Sequence, residues 1–332
     1  MNLYFPPFIY LFFLMLGTII SISSSSVFGM WMGLEINLMS FIPLVINLEN
    51  NKKSSEAAIK YFLIQAIASA MVIFSALTFF IYSGNFLSPK FNLVISLALM
   101  TKLGMAPFHF WFPEVIEGLN WMNSLILLTW QKISPLVILS LFFHPNMLLL
   151  TAMISAVMGA ISGFNQTSLR KILAFSSISH LGWMSSLMFI NSSLWMNYFL
   201  IYFITSIILC VSFWTFNLNY FSQLTMIQDL KKKIIIFINL LSLGGLPPLL
   251  GFLPKWTAMF VLSKNVPILT ILIASSLVTL YFYTRICFST FTLYFQNILW
   301  MFKLKAEKNN YILSFMTFIS ISGIFPLIFA SI

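Results

Sequence analysis

Residues 91–110 read FNLVISLALMTKLGMAPFHF, an apolar run long enough to cross a bilayer that contains one lysine and a glycine–proline break. A helix needs about 20 apolar residues to span the hydrocarbon core. An ionisable side chain at that depth costs about 2.5–3.5 kcal/mol on insertion scales. We therefore expect Lys102 in this run to carry protons or ions, or to pair with another charge.

The composition of the whole chain also indicates a membrane protein. The 332 residues are 60% hydrophobic and 7% charged, whereas a soluble domain has about 25% charged residues. The formal net charge of +10 does not indicate a nucleic-acid partner, because the basic residues lie in short loops between apolar runs. That distribution is typical of the signals that orient membrane helices. We predict phospholipid contacts and no nucleic-acid partner.

The apolar runs predict an all-α polytopic membrane protein with about eleven transmembrane helices in a single domain, residues 1–332. Loops on one side of these runs contain eleven Lys and Arg residues, and loops on the other side contain two. The positive-inside rule then places the N-terminus inside and the C-terminus outside. The expected spans are 4–21, 27–48, 57–82, 91–110, 119–142, 147–165, 171–190, 194–216, 233–261, 267–290 and 311–331.

A short internal repeat relates two of these spans. The sequence GMAP at 104–107 is followed after five residues by PE, and GLPP at 245–248 is followed after five residues by PK. The two copies lie in the fourth and ninth spans, and an odd number of crossings between them predicts that the second copy is inverted. Inverted repeats with broken helices are typical of secondary transporters. We expect a first repeat at about 4–142, a second at about 147–290, and an extra C-terminal helix at about 311–331.

Three further charged residues lie inside apolar runs: Glu35, Lys132 and Lys255. Each intramembrane lysine has a proline close by, and a proline inside a helix leaves the carbonyl four residues earlier without its donor. Water in a buried cavity is the expected partner of such a carbonyl. Burial favours the neutral amine and a nearby carboxylate favours the charged one, so a lysine beside this water can load and release a proton. The carbonyls expected to be free are those of Leu103, Gln131 and Leu250.

Glu35 is the one acidic residue inside an apolar run, and we expect its partner to be Lys102 on another span. The alternative is a static ion pair that fixes helix register, but desolvation makes such pairs weak stabilisers. His180 lies among hydroxyl side chains in the sequence SSISHLGW. It is either a proton relay, since histidine titrates near neutral pH, or a satisfied packing residue, and the sequence does not separate the two.

Some other charged residues have simpler interpretations. Glu114 and Glu117 are expected in an inner loop, where they gather protons or simply solvate the chain. Lys231–Lys233 is expected to be a topology signal. Arg285 is expected to extend toward the inner face.

Five stretches of the chain resemble the mitochondrial NADH–ubiquinone oxidoreductase chain 2 family, in its insect or other arthropod form. The similarity runs in blocks from about residue 27 to 290, and its motifs are long and specific. The stretches are WMGLEIN at 31–37, KLGMAPFHFW at 102–111, TWQK at 129–132, LRKILAFSS at 169–177, and GGLPP with GFLPKW at 244–256.

The resemblance implies an antiporter-like fold and a place in the membrane arm of respiratory complex I. It implies that Glu35 and Lys102 serve a first half-channel, that Lys132 links the two halves, and that Lys255 serves the second. His180 matches a position on the central polar axis. The outer side of the chain would be the intermembrane space and the inner side the matrix of a mitochondrion.

No cofactor is expected in this chain, which has no phosphate-cradling glycine loop, no His/Cys cluster and no nucleophile–base set. The resemblance implies that NADH, FMN, iron–sulfur clusters and ubiquinone belong to other subunits. The chain would then be a non-redox, proton-translocating subunit of an NADH:ubiquinone reductase. Its partners would be other membrane-arm subunits, including further antiporter-like ones.

Two other functions are compatible with the same residues. A stand-alone cation/proton antiporter also has inverted repeats and buried charges. A structural spacer would use its charges only for packing. Purification distinguishes the antiporter from the complex I subunit, because an antiporter would be recovered without a large redox complex. Water around Lys102 distinguishes proton transfer from a structural spacer, whose charges would be dry.

Overall fold

In the part of the chain that it describes, the computed structural model is helical throughout, apart from one isolated β-bridge between Ser168 and Tyr220. The described residues are 7–46, 52–81, 89–190, 193–227, 229–292, 317–318 and 320–321. The helices are α1 (Pro7–Ser23), α2 (Val27–Ile46), α3 (Lys52–Ile81), α4 (Pro89–Leu103), α5 (Trp111–Gly118), α6 (Trp121–Leu128), α7 (Trp130–Leu141), α8 (Pro145–Gly163), α9 (Leu169–Ile190), α10 (Leu194–Thr215), α11 (Phe221–Thr225), α12 (Leu230–Gly244), α13 (Phe252–Leu262) and α14 (Val266–Thr292).

The helices confirm the predicted all-α membrane class. Among the described residues, seven stretches are helical, long and apolar enough to cross a membrane, if α6 and α7 are counted as one. Three shorter apolar helices, α1, α4 and α13, accompany them. The expected total of about eleven spans stays a prediction. The expected C-terminal helix at 311–331 lies outside the described residues, except for 317–318 and 320–321.

One expected span is divided and one expected loop is wrong. The span expected at 119–142 consists of two helices, α6 and α7, which meet at Thr129 (φ −116°, ψ −72°) and together give one candidate span at Trp121–Leu141. Average hydropathy does not register a break of one residue. The inner loop expected after residue 110 contains α5, so Glu114 lies on a helix. The third residue of α5 is Pro113, which a helix tolerates in its first turn.

The fourth expected span breaks where the sequence predicts. α4 ends at Leu103, and Gly104 takes a φ of 69°, in the left-handed region that favours glycine. The chain then runs through a cis Ala106–Pro107 bond before α5 begins. The indole nitrogen of Trp111 donates to the carbonyl of Thr101 at 3.2 Å, which holds the start of α5 against the last turn of α4.

The break between α12 and α13 has the same form. α12 ends at Gly244 and α13 begins at Phe252. These boundaries follow the end of α4 and the start of α5 by the same number of residues that separates the two sequence motifs. Gly245 takes a φ of 81°, and a cis Pro247–Pro248 bond follows. The predicted pair of broken helices is therefore confirmed, at the offset that the sequence motif gives. The inversion of the second copy stays a prediction.

A second repeat relation, which the sequence analysis missed, joins two helix pairs. An added Cβ on Gly17 of α1 would lie 2.9 Å from the carbonyl oxygen of Gly33 in α2. An added Cβ on Gly159 of α8 would lie 2.7 Å from the carbonyl oxygen of Phe175 in α9. The separation along the chain from Gly17 to Gly159 equals that from Gly33 to Phe175. Within each pair the two helices therefore approach closely, and the glycines that permit it, Gly17 in α1 and Gly159 in α8, occupy corresponding positions.

The chain divides into two compact units, which we call the first unit (residues 1–155) and the second unit (residues 156–332). In the first unit, α3 packs against α2, α4 and α5, and α7 packs against α4. In the second unit, α9 packs against α10, α13 and α14, and α12 packs against α10 and α14. Nearly all of α9 is buried, so its polar side chains face the protein interior.

Candidate functional site

Lys102 lies in the last turn of α4, immediately before the break, and its side chain is buried. The amide of Gln65 on α3 donates to the Lys102 carbonyl at 3.2 Å. This bond satisfies one of the carbonyls that the end of α4 leaves without a helical partner. The break thus places an amine inside the first unit, as the sequence predicts.

Lys132 lies in the first turn of α7 and is 2% exposed. Its amine lies 5.0 Å from the ring centroid of Phe112, within the range of a cation–π interaction. Phe112 is the second residue of α5, so the helix that the sequence analysis missed supplies a neighbour of Lys132. Lys132 therefore lies beside the short break at Thr129, as Lys102 lies beside the longer break between α4 and α5.

Lys102 and Lys132 line the same cavity in the first unit. The cavity has a volume of about 20 Å³. A cavity needs a volume of roughly 10–15 Å³ to hold one water. Its polar lining also includes Asn37, Tyr61, Gln65, Gln131 and Ser134. The two lysines therefore line one polar space that has room for water.

Glu35 lies on α2 and is half-buried, and its Oε2 atom is buried without a hydrogen-bond partner. No ion pair within 4.0 Å joins Glu35 and Lys102 in the described residues, so the predicted partnership of these two charges involves no direct contact and stays a prediction. The Glu35 charge nevertheless acts electrostatically on Lys102 and on Tyr61. Glu35 is therefore coupled to Lys102 through space, without the contact that a static ion pair requires.

The side chain of Gln131 joins the elements around these charges, whereas the sequence pointed only to the backbone carbonyl of this residue. Its Nε2 donates to Oδ1 of Asn37 at 2.9 Å, and its Oε1 accepts from the Tyr61 hydroxyl at 3.3 Å. Asn37 is two residues from Glu35, and Gln131 precedes Lys132. The motif TWQK contains this glutamine beside the lysine, but only the fold shows that it links α2 and α3 to α7.

The predicted role of the prolines holds at one position of three. Pro135 lies inside α7 and can free the carbonyl of Gln131. Pro107 lies outside any helix, because α4 has already ended, and Pro254 lies in the first turn of α13. The carbonyls of Leu103 and Leu250 are therefore not freed by proline. At both lysines concerned, the helix itself is interrupted.

Lys255 lies in the first turn of α13 in the second unit and is 4% exposed. Its amine donates to the carbonyl of Gly244 at 2.8 Å, where α12 ends. Gly251 brings the chain back to this point, since a Cβ there would overlap the carbonyl oxygen of Ser242. The second break therefore holds its lysine by backbone contacts, and no carboxylate pairs with this lysine in the part of the chain that the structure describes.

His180 is buried on α9, and its Nδ1 lies 2.8 Å from the hydroxyl of Tyr198 on α10. Its ring also lies 5.2 Å from that of Tyr202. The structure thus brings His180 and Lys255 into the second unit, and Glu35, Lys102 and Lys132 into the first. A role in proton movement stays a prediction for all five residues.

The remaining charged residues include one that is unexpectedly buried. Lys233, expected to be part of a topology signal, is buried in α12, with its amine 3.4 Å from the Thr290 carbonyl. Glu114 forms an exposed ion pair with Lys60 at 2.6 Å. Arg285 lies over the ring of Phe164, 5.5 Å from its centroid.

Comparison with known proteins identifies the family. The chain matches the profile described as NADH:quinone oxidoreductase/Mrp antiporter, TM, over residues 24–284. A protein of Anopheles gambiae named NADH-ubiquinone oxidoreductase chain 2 is 48% identical over 326 residues, which is 95% of each chain. This chain belongs to the NADH-ubiquinone oxidoreductase chain 2 family. A protein of the same name from Locusta migratoria is 42% identical over 94% of this chain and 93% of its own length.

Solved structures confirm the fold. A chain of respiratory complex I from Thermus thermophilus superposes with a TM-score of 0.85 at 22% identity, covering 96% of this chain and 78% of that chain. A chain of the Mrp complex from Dietzia superposes with a TM-score of 0.75 at 15% identity, covering 83% of this chain and 59% of that chain. The predicted antiporter-like fold is therefore confirmed, together with the predicted family.

Proposed function

We propose that this chain is a proton-translocating, non-redox subunit in the membrane arm of NADH:ubiquinone oxidoreductase, respiratory complex I, in the mitochondrial inner membrane. Its family supports this place, because the insect relatives carry the name of chain 2 of that enzyme. Its partners are other membrane-arm subunits, including antiporter-like ones, and phospholipid. Its N-terminus lies in the matrix and its C-terminus in the intermembrane space. NADH, FMN, iron–sulfur clusters and ubiquinone bind elsewhere in the complex.

The cavity shared by Lys102 and Lys132 carries this proposal. Two amines that line one space with room for water can exchange a proton through that water. The surrounding hydroxyl and amide side chains give the water the two to four polar partners that a buried water needs. A proton then moves from Lys102 to Lys132 without crossing an apolar gap. In the second unit, His180 and Lys255 take the corresponding roles.

The charge of Glu35 can regulate whether Lys102 holds a proton. Because Glu35 acts on Lys102 without contacting it, a charge that moves near Glu35 changes the electrostatic potential at the Lys102 amine. Two unit charges about 4 Å apart interact by about 4 kcal/mol at an effective dielectric constant of about 20, and this pair lies beyond that distance. A tenfold change in proton occupancy corresponds to about 1.4 kcal/mol. An interaction energy well below that of two charges in contact is therefore enough to change whether Lys102 is protonated.

The test is proton pumping per electron in the assembled complex carrying Lys102→Ala or Glu35→Gln. Both variants are expected to lower the ratio while the complex still assembles and oxidises NADH. Matched controls are Lys264→Ala and Glu56→Gln, which make the same chemical changes at exposed positions and are expected to leave the ratio unchanged. An unchanged ratio in both Lys102→Ala and Glu35→Gln rejects the path.

Two measurements separate the alternatives. Recovery of the chain in a large redox complex supports the proposal, whereas recovery as a lone or homo-oligomeric protein supports a stand-alone cation/proton antiporter. Ordered water beside Lys102 in a map of the complex supports transfer. A dry cavity supports a structural spacer.

A further inference from the structure

Arg285 is an exposed arginine on a membrane helix, and the proposed proton path makes no use of it. It lies on α14, whose apolar stretch Val266–Phe288 is long enough to cross a membrane. Only 33% of this stretch is buried inside the chain, so most of it faces outward. A charged side chain on such a surface is costly within the hydrocarbon and reaches for the polar headgroups at its boundary.

The contacts of Arg285 place it at one end of the helices. Its Nη1 donates to the carbonyl of Phe164 at 3.5 Å, and its guanidinium carbon lies 5.5 Å from the centroid of the Phe164 ring. Phe164 is the first residue after α8, in the short connection to α9. The basic residues Arg170 and Lys171 follow in the first turn of α9, so this is the side that the charge distribution predicts to be the inner one. Arg285 therefore lies at the level of the inner membrane surface.

Two aromatic rings accompany the guanidinium group. The ring of Phe164 stacks on that of Tyr281, with 5.4 Å between the centroids and 5° between the planes. A Cβ on Gly163 would lie 3.2 Å from Cε1 of Phe282, so the end of α8 packs directly against α14. Phe164 and Tyr281 nevertheless stay 37% and 54% exposed. The α8–α9 connection and α14 thus form a joint surface with one cation and two rings, a combination suited to the membrane–water interface.

The guanidinium group keeps most of its hydrogen-bonding capacity. It has five N–H donors, and its one hydrogen bond within the described residues is the long one to Phe164. No carboxylate pairs with it in the part of the chain that the structure describes. The one acidic residue described in the second unit, Asp229, pairs with Lys232 at 2.8 Å. The remaining donors of Arg285 therefore have to be satisfied from outside the chain.

The surroundings of this surface favour an anion as that partner. One acidic residue, Asp229, stands against several basic residues described on the same side of the second unit, namely Arg170, Lys171, Lys231, Lys232 and Lys233. The Lys233 amine lies 3.4 Å from the carbonyl of Thr290 on α14, which brings one of these charges to the helix that carries Arg285. An excess of positive charge at a membrane surface attracts anionic lipid.

An exposed apolar stripe leads from Arg285 along α14 toward the middle of the membrane. Tyr281, Leu277 and Ala274 precede Arg285 at helical spacing and are all exposed. Eleven residues separate Arg285 from Ala274, which is about 16 Å at 1.5 Å per residue. This length is about half of the 30 Å hydrocarbon core, the depth of one leaflet. A phospholipid has the same layout, with a phosphate at the surface and acyl chains that reach one leaflet deep.

We propose that Arg285, Phe164 and Tyr281 form a binding site for one anionic phospholipid on the inner side of the membrane. The guanidinium group binds the phosphate, whose oxygens match its forked donors. The Phe164 carbonyl and ring hold the guanidinium group in place, and the exposed stripe of α14 accommodates an acyl chain. The stripe favours a lipid over a carboxylate of a neighbouring subunit, which would need no apolar surface of leaflet depth. The site makes no use of His180 or Lys255, so its test is independent of proton pumping.

The experiment measures labelling of the complete complex, solubilised in detergent, by a photoreactive phosphatidylglycerol. Label is expected on peptides from α14 and from the α8–α9 connection. Arg285→Gln is expected to need about tenfold more lipid for half-maximal labelling of these peptides, as the loss of one charge-assisted contact predicts. Arg285→Lys keeps the charge and loses the planar fork, so its requirement is expected to lie between the two. Lys232→Gln is the matched control, because it removes one positive charge from the same side and is expected to leave labelling unchanged.

Several results would overturn the site. Equal losses in Arg285→Gln and Lys232→Gln would show that diffuse positive charge attracts the lipid. Equal labelling by a photoreactive phosphatidylcholine, which is zwitterionic, would show that apolar contact alone is responsible. If Arg285→Gln does not assemble, a high-resolution map of the unmodified complex decides. A phospholipid phosphate within hydrogen-bond distance of Arg285 supports the site, and a carboxylate of a neighbouring subunit, a free phosphate ion or no anion there overturns it.

Discussion

The side chain of Lys255 lies directly against the backbone of Gly245, so that a Cβ on Gly245 would lie 2.9 Å from Cδ of the lysine. Gly245 also takes a φ of 81°. Two separate physical reasons therefore require glycine at this position. One is the left-handed backbone, and the other is the space that the lysine stem occupies.

Gly245→Ala is expected to destabilise the chain and to displace the Lys255 amine. The left-handed conformation costs a residue with a Cβ about 1–2 kcal/mol, and the contact with Lys255 adds to that. The measurement is the midpoint of thermal dissociation of the chain from the complex. In a Lys255→Ala background the crowding disappears and only the backbone strain is left, so the drop caused by Gly245→Ala is expected to be smaller. Equal drops in both backgrounds would contradict the contact.

Gln131→Met is expected to lower pumping per electron without removing either lysine. The change keeps the length of the side chain and deletes the bonds to Asn37 and Tyr61, each worth about 0.5–1.5 kcal/mol. The neighbours of Glu35 and Lys132 then lose their common anchor. Gln166→Met is the control, because the side chain of Gln166 bonds to the carbonyl of Ser162, four residues away, and to no other described residue. Equal effects in the two variants would reject a special role for Gln131.

The ion pair between Lys60 and Glu114 is expected to contribute no measurable stability. Both side chains are about half exposed, at 50% and 55%, and solvent screens such pairs. Lys60→Gln should therefore leave both the thermal midpoint and pumping unchanged. The same substitution at buried Lys132 is expected to reduce pumping. A large loss of stability in Lys60→Gln would show that the pair is shielded by a neighbouring subunit.

The sequence predicts those parts of the fold and site that depend on composition and on residue type. Apolar length predicts the helices, and Gly and Pro predict the two long breaks, because these residues act on the backbone wherever they occur. Lys102, Lys132 and Lys255 can be identified because they lie inside apolar runs. Burying a charge costs free energy in any fold, so such residues are expected to have a function.

The parts that the sequence does not predict depend on which helices come together. The break at Thr129 lies within an apolar run, and nothing in the residue type indicates it. Gln131 is an ordinary polar residue until packing places it beside Asn37 and Tyr61. Tyr283 is equally ordinary until packing places its ring against Gly244. Complementary charge predicts that Glu35 and Lys102 are partners, but the distance between them depends on how α2 and α4 pack, which the sequence does not give.

Gly159→Ala is expected to impair assembly of the chain far more than the size of a methyl group suggests. An added Cβ at Gly159 would lie 2.6 Å from the backbone nitrogen of Ser179, and backbone atoms of two packed helices cannot shift independently. Gly163→Ala, one turn later on α8, meets only side-chain atoms at 3.2 Å or more and is expected to assemble normally. The measurement is the amount of chain recovered in the complex. Gly33→Ala, whose Cβ would overlap the backbone nitrogen of Ser21, is expected to behave like Gly159→Ala. Normal recovery of both would refute the close approach of the paired helices.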